Sequence, residues 1–155
     1  MVKDARFEDV QELPLRLIAR DADDLAVISA LLQDAVLLMK ETSWQPDVNR
    51  FGMLVNRFRW EDKADAEQGK RPYERVQSML VIDYVQNVSS MGVDHTDKKQ
   101  IISILSVACE DDKITFTLAG DGALSLDVEC LEVTMKDVTK PYAAISKSAP
   151  RHNLD

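Results

Sequence analysis

Residues Arg50–Trp60 read RFGMLVNRFRW, and the faces on which their large apolar side chains fall decide how the rest of the chain is organised. Phe51, Met53 and Val55 stand at odd positions, whereas Leu54, Phe58 and Trp60 stand at even ones. Successive side chains of a strand point to opposite faces, so the buried face changes near Asn56. A strand does this through a bulge, a sharp bend or passage from one sheet to another. A bulge there turns Phe58 and Trp60 inward and leaves Arg57 and Arg59 projecting together to solvent.

Working outward, Leu13, Leu15, Leu17 and Ala19 alternate along a first strand whose start is held near an edge by Pro14. Asp21 then precedes Leu25, Ile28, Leu31 and Leu32 at helical spacing, and Asp21, Asp23 and Asp24 crowd the first turn, where free N–H groups favour acids. The spacing predicts one helix over 22–33 capped by Asp21. Ala35–Lys40 is a short apolar strand, and Trp44-Gln-Pro46-Asp has turn chemistry. Residues 61–72 hold no large apolar side chain and read as a mobile surface loop. Val76–Met91 is apolar on parts of both faces. Ile101–Cys109, Lys113–Ala119 and Ala123–Met135 follow as strands, with hairpin chemistry at Gly120-Asp-Gly122. In the last strand Leu124, Leu126, Val128 and Cys130 are even while Leu131, Val133 and Met135 are odd, which predicts a second bulge at Cys130-Leu131. The fold class is therefore α+β: one N-terminal helix plus about seven mostly antiparallel strands in a strongly bent, barrel-like sheet. One domain over 1–140 is expected, with a loosely ordered tail over 141–155.

The chain has 155 residues, 45% of them apolar, enough for a core without staples. Nineteen Lys and Arg against 27 Asp and Glu give a net charge of −8, which argues against sequence-blind binding of nucleic acid. No stretch approaches a membrane span, and Met1–Val10 lacks the apolar run of a signal peptide, so a cytoplasmic location is expected. Cys109 and Cys130 read as buried, reduced, unreactive thiols in apolar strands, although a disulfide between them is geometrically open. With His95 and His152 they show no zinc-site spacing; neither a metal nor a cofactor is expected.

Three phrases, LRLIARDADDLAVISALLQDAV (Leu15–Val36), RFGMLVNRFRWE (Arg50–Glu61) and ALSLDVECLEV (Ala123–Val133), resemble a family of single-domain alphaproteobacterial proteins catalogued as a domain of unknown function. The resemblance spans nearly the whole chain. It implies a bacterial, cytoplasmic protein and supplies no activity or site residue.

The candidate site comes from the residues alone. Residues 50–75 carry seven Lys and Arg against five Asp and Glu, while the remainder carries 12 against 22. Arg57, Arg59, Asn56 and Arg50, interleaved with aromatics, could fork onto a carboxylate or phosphate or stack on a ring. The bland alternative is that Phe58 and Trp60 pack in the core while the arginines are balanced by Glu61 and Asp62. Asp83, inside the most apolar segment, needs a cationic partner, and an arginine of the basic strand is the natural one. A structural ion pair there is favoured over a general base. His95 reads as a solvated loop residue. The leading function is a non-enzymatic binding or adaptor domain contacting a protein partner or a small anionic ligand through residues 50–75. The alternatives are a small enzyme using Arg57 or Arg59 as an anion clamp, and a structural subunit that dimerises through a sheet edge.

Overall fold

A computed structural model describes residues 14–94 and 96–144; the expectations for Leu13, His95, His152 and the tail beyond Ala144 lie outside them. Eleven strands occur among these residues: β1 Arg16–Ala19, β2 Val36–Leu38, β3 Thr42–Gln45, β4 Arg50–Phe58, β5 Glu74–Ile82, β6 Val85–Met91, β7 Ile101–Glu110, β8 Lys113–Leu118, β9 Gly122–Val128, β10 Val133–Asp137 and β11 Tyr142–Ala143. Every pairing is antiparallel. The main path runs β1-β10-β5-β4-β2-β7-β8-β9-β6, with β3 on β4 and β11 on β5. The path is not closed, so the barrel-like expectation is corrected to an open sheet that folds over itself.

The folding-over has a visible cause. Val76–Met91 is not one strand but β5 and β6, and Ala123–Met135 is β9 and β10. β10 pairs with β5 up to Val133 opposite Ile82, and β9 pairs with β6 from Val128 opposite Val85. Between these ladders both chains turn a corner together: Asp83 N–H donates to Glu132 O at 3.1 Å and Glu129 N–H to Tyr84 O at 2.9 Å. Tyr84 sits at φ 61°, a left-handed conformation rare for a bulky residue, which makes the bend. The buried face is even along β9 and odd along β10. The parity switch lies where the sequence places it, but a passage between sheet halves produces it rather than a bulge.

The expected switch near Asn56 does not exist. β4 and β5 stay in continuous register from Phe51 opposite Ile82 to Phe58 opposite Arg75. Odd positions stay buried throughout because Arg57 occupies the core face; Phe58 is covered where the strand ends and Trp60–Asp62 turns as a 3-10 helix. Residues 61–72 are likewise not a loose loop. They form that turn and a short helix, α2 (Lys63–Gln68), whose Ala66 is buried. Trp44, expected in a turn, lies in β3. Tyr142–Ala143 joins the sheet two residues past the expected domain boundary.

The helix α1 (Ala22–Leu31) begins as expected. Asp21 is extended at φ −142°, and its Oδ1 accepts from Asp24 N–H at 2.7 Å. Leu25, Ile28 and Leu32 pack α1 against β1 and β7, and Ser29 Oγ accepts from Val107 N–H at 2.9 Å. Asp21→Ala should cost about 1 kcal/mol; an unchanged urea midpoint would show the cap to be idle. The hairpin between β8 and β9 also forms as expected, with Gly120 at φ 76° and Asp121 at φ 62°.

The cysteines depart from expectation. Cys130 is exposed in the corner between β9 and β10, outside any strand, and Cys109 is half-buried in β7. Both are free. Burial pushes the Cys109 thiol up, helped by the nearby Asp112 charge, so its reactive thiolate is scarce. Alkylation without denaturant should modify Cys130 first and Cys109 slowly, as read by intact mass; equal rates would contradict the placement.

Candidate functional site

The arginine region is built by β4, the turn after it and the strands on either side. Arg57 points into the protein and is fully buried. Its Nε donates to Ser78 Oγ at 3.0 Å, and its Nη2 reaches both oxygens of Asp137, at 3.1 and 3.2 Å. Nη1 and Nη2 also fork onto Glu61, at 2.9 and 2.8 Å. Asp137 is held further by Ser78 Oγ at 2.6 Å and by Leu15 N–H at 3.3 Å. Burial alone would lower the Arg57 pKa, but the bonds and charges of Glu61 and Asp137 outweigh it and raise it. The same competition, with burial opposing and Arg57 prevailing, holds the Glu61 carboxyl below its usual range. The expectation that Arg57 projects to solvent is overturned: β5, β10 and the turn after β4 supply an acceptor set that uses its donors.

Arg59 is also turned inward, half-buried, with Nη1 bonded to Glu74 and 3.7 Å from Asp62. Its Nε has no hydrogen-bond acceptor, lying 3.8 Å from Glu61 Oε2. Arg71 completes the group by forking onto Asp62 at 2.7 and 2.5 Å, which with Arg59 lowers the Asp62 pKa against the effect of burial. Asn56 lies on the opposite face of β4. Its Oδ1 accepts from Arg75 Nε at 2.5 Å and its amide donates to Tyr142 Oη. Arg50 stands at the far end of the strand, roughly 23 Å from Arg57 at strand spacing. Its Nε donates to Asp83 Oδ1 at 2.9 Å, the pairing expected of Asp83. The structure thus joins Arg57 and Arg59 through Glu61 but brings neither Asn56 nor Arg50 to them.

A different feature was not foreseen. Between the two halves of the sheet lies a cavity of about 290 Å³. Leu37, Phe51, Met53, Ile104, Phe116 and Leu118 form its buried floor. Met39, Thr42 and Trp44 on one lip and Val88, Ser90 and Val93 on the other are half-buried and form its rim. Ile102 and Leu124 complete the wall, and none of the lining side chains is ionisable. Gly92, at φ 72°, draws the end of β6 against β9: a Cβ on it would stand 3.0 Å from Gly122 Cα. The alternation in the sequence places Phe51, Met53 and Leu124 on apolar faces. No periodicity tells whether inward-facing residues meet or leave a void, since that depends on how far the corner holds the sheet halves apart.

The volume lies at the lower end of ligand pockets and equals about ten waters of liquid. Such a site offers apolar contact, with no acid, base or nucleophilic thiol among its lining residues. Among the described residues no group of three His, Cys, Asp or Glu is placed to hold a metal ion, and no helix is long and apolar enough to cross a membrane. An open antiparallel sheet with an internal apolar cavity and one buried, ion-paired arginine defines the type of domain. The chain belongs to the family described as Protein of unknown function (DUF2948), whose model matches residues 15–152. No curated protein and no solved structure matches it.

Proposed function

We propose that this chain is a non-enzymatic binding module whose ligand places an uncharged, apolar group in the cavity between β3 and β6. The observation that carries the reading is the cavity itself: an apolar floor, a half-exposed rim and no ionisable lining residue. A site of that composition rewards burial of apolar surface and has no group with which to move a proton. The enzyme alternative asks Arg57 or Arg59 to clamp an anion, and the donors of Arg57 are already engaged internally.

A second reading retains part of the arginine region. Arg59, whose Nε lacks an acceptor, lines two adjoining clefts with Lys140 and could meet an acidic group of a protein partner or a small anion there. The carboxylates of Glu61, Asp62 and Glu74 around it weigh against that reading. A cytoplasmic setting is part of the proposal: one exposed and one half-buried free thiol suit a reducing compartment.

Trp44 lines the cavity, so its fluorescence tests the first reading directly. In a Trp60→Phe background, titration with hexanol should give a saturable change in Trp44 emission that Val88→Phe, which narrows the rim, weakens. The absence of any saturable change would overturn the cavity as a binding site. Binding of acidic peptides that Arg59→Ala abolishes would favour the second reading.

A further inference from the structure

On a chain with a net charge of −8, a group of unpaired cations is informative. Lys40 directly follows Met39, a rim residue of the cavity, and the backbone carries Lys98 and Lys99 beside it. Met39 N–H donates to Gln100 O at 3.0 Å and Lys40 N–H to Lys98 O at 3.2 Å. On the facing lip Val93 is followed by Asp94, whose N–H donates to Gln100 Oε1 at 2.9 Å. Lys40, Lys98 and Lys99 are thus gathered where the two lips meet, at one end of the mouth. All three are exposed, and among the described residues the lysines that form ion pairs are Lys63 and Lys113 instead.

The neighbouring acids are held in other contacts. Asp94 Oδ1 accepts from Thr96 N–H at 2.9 Å and from its hydroxyl at 2.6 Å, and Asp97 Oδ1 accepts from Lys99 N–H at 3.1 Å. Glu41 lines a separate groove with Leu54 and Asn56, on the opposite face of β4 from Phe51 and Met53. These carboxylates keep their charge, but Asp94 and Asp97 are tied by short side chains into their own turns. A lysine has a flexible four-carbon stem, which lets its ammonium swing over the mouth.

A ligand that suits both features is apolar at one end and anionic at the other. Its chain loses water in the cavity, while its head stays hydrated among the ammonium groups and avoids the cost of a buried charge. A cationic head would meet like charge, and a neutral one would leave the lysines unused. The net charge of −8 opposes the approach of a second copy. We infer that the cavity takes a small amphiphile with one alkyl chain and an anionic head, a carboxylate or a phosphate monoester, whose head lies at Lys40, Lys98 and Lys99. The inference rests on the binding reading above and adds the charge and place of the ligand's polar end.

Hexanoate, hexyl phosphate, hexanol and hexylamine share a chain and differ in head charge. Their binding to the full chain is measured by isothermal titration calorimetry at neutral pH and low salt. Both anions should bind about fivefold or more tighter than hexanol, as several weak exposed charge pairs acting together allow; the tighter anion identifies the head. Hexylamine, protonated at this pH, should bind most weakly. The anion advantage should shrink as salt is added. Octanoate should bind roughly tenfold tighter than hexanoate, from the further buried methylenes; equal affinities would take the chain out of the cavity and overturn the inference. Lys40→Gln, Lys98→Gln and Lys99→Gln together should remove the anion advantage and leave hexanol affinity unchanged. Should that variant fold poorly, the head-group and salt series on the unsubstituted chain still decide. Hexanol binding as tightly as hexanoate would overturn this inference and leave the cavity reading standing, whereas no binding of any of the four would overturn both. An anion advantage that survives the triple substitution would overturn the placement of the head. Concentration-dependent dimerisation that excludes hexanoate would give the cavity to a second copy of this chain and overturn the proposed ligand.

Discussion

Arg57→Ala is expected to destabilise the fold by about 3–5 kcal/mol, the cost of stranding a buried ionic partner, as measured by urea denaturation. The guanidinium fills a space with no solvent exposure and holds Asp137 and Glu61 together across three strands and a turn. Without it, buried Asp137 retains the Ser78 hydroxyl and the Leu15 N–H but no positive charge. Arg57→Lys should recover only part of the loss, since a single ammonium cannot fork onto two carboxylates. In the double substitution Arg57→Ala, Asp137→Ala the losses should fall short of additive by about 0.5–3 kcal/mol, because the partner left behind is part of each single loss. A loss within about 0.5 kcal/mol, normal for an exposed position, would put Arg57 in water and return it to the list of candidate contacts.

The contrast between Arg57 and the apolar residues of its strand shows where the fold was legible. The alternation Phe51, Met53, Val55 identifies the buried face of β4, and in the structure that face simply continues to Arg57. A pattern that counts arginine as outward must invent a bulge to bring Phe58 and Trp60 in. The missing information is long-range: Ser78 and Asp137 come from β5 and β10, and burying arginine is tolerable only with such partners. Trp60, moreover, is placed by the turn after the strand, its indole donating to Gln33 O at 3.0 Å. Where local chemistry suffices, as at the Asp21 cap and the Gly120 hairpin, the sequence is read correctly. The corner at 83–84 and 129–132 is an intermediate case. Its parity switch is visible at Cys130-Leu131, but that β5–β6 and β9–β10 turn together is a property of their pairing.

Polar side-chain bonds explain the unforeseen helix α2. Its segment lacks large apolar residues, yet Arg71 forks onto Asp62, and Lys63 and Tyr73 both bond Glu67. Polar groups that satisfy one another locally fix a segment without a core of its own, and this ties the order of residues 61–73 to ionised carboxylates.

Acid is therefore expected to destabilise this region. Glu61 and Asp62 both titrate below their ordinary values of 4.5 and 3.8 in the folded protein. For Glu61, burial acts in the opposite direction and the Arg57 bonds outweigh it; for Asp62, the Arg71 bonds lead. A carboxyl whose folded pKa is depressed binds its proton more weakly in the folded state than in the unfolded one. Its contribution is fully present above the unfolded value and is lost as pH falls through the folded one. Glu67 shifts in the same direction through the Tyr73 hydroxyl and Lys63, but it is exposed and adds little. The urea midpoint should hold near neutral pH and fall as pH drops below the ordinary carboxylate range. Glu61→Gln should lower the midpoint at neutral pH and flatten the acid limb, since the substituted side chain has no proton to gain. If Glu61→Gln left the acid limb as steep as before, the Arg57–Glu61 pair would not be the group whose protonation loosens the fold, and its role as the outer clamp on the buried arginine would have to be withdrawn.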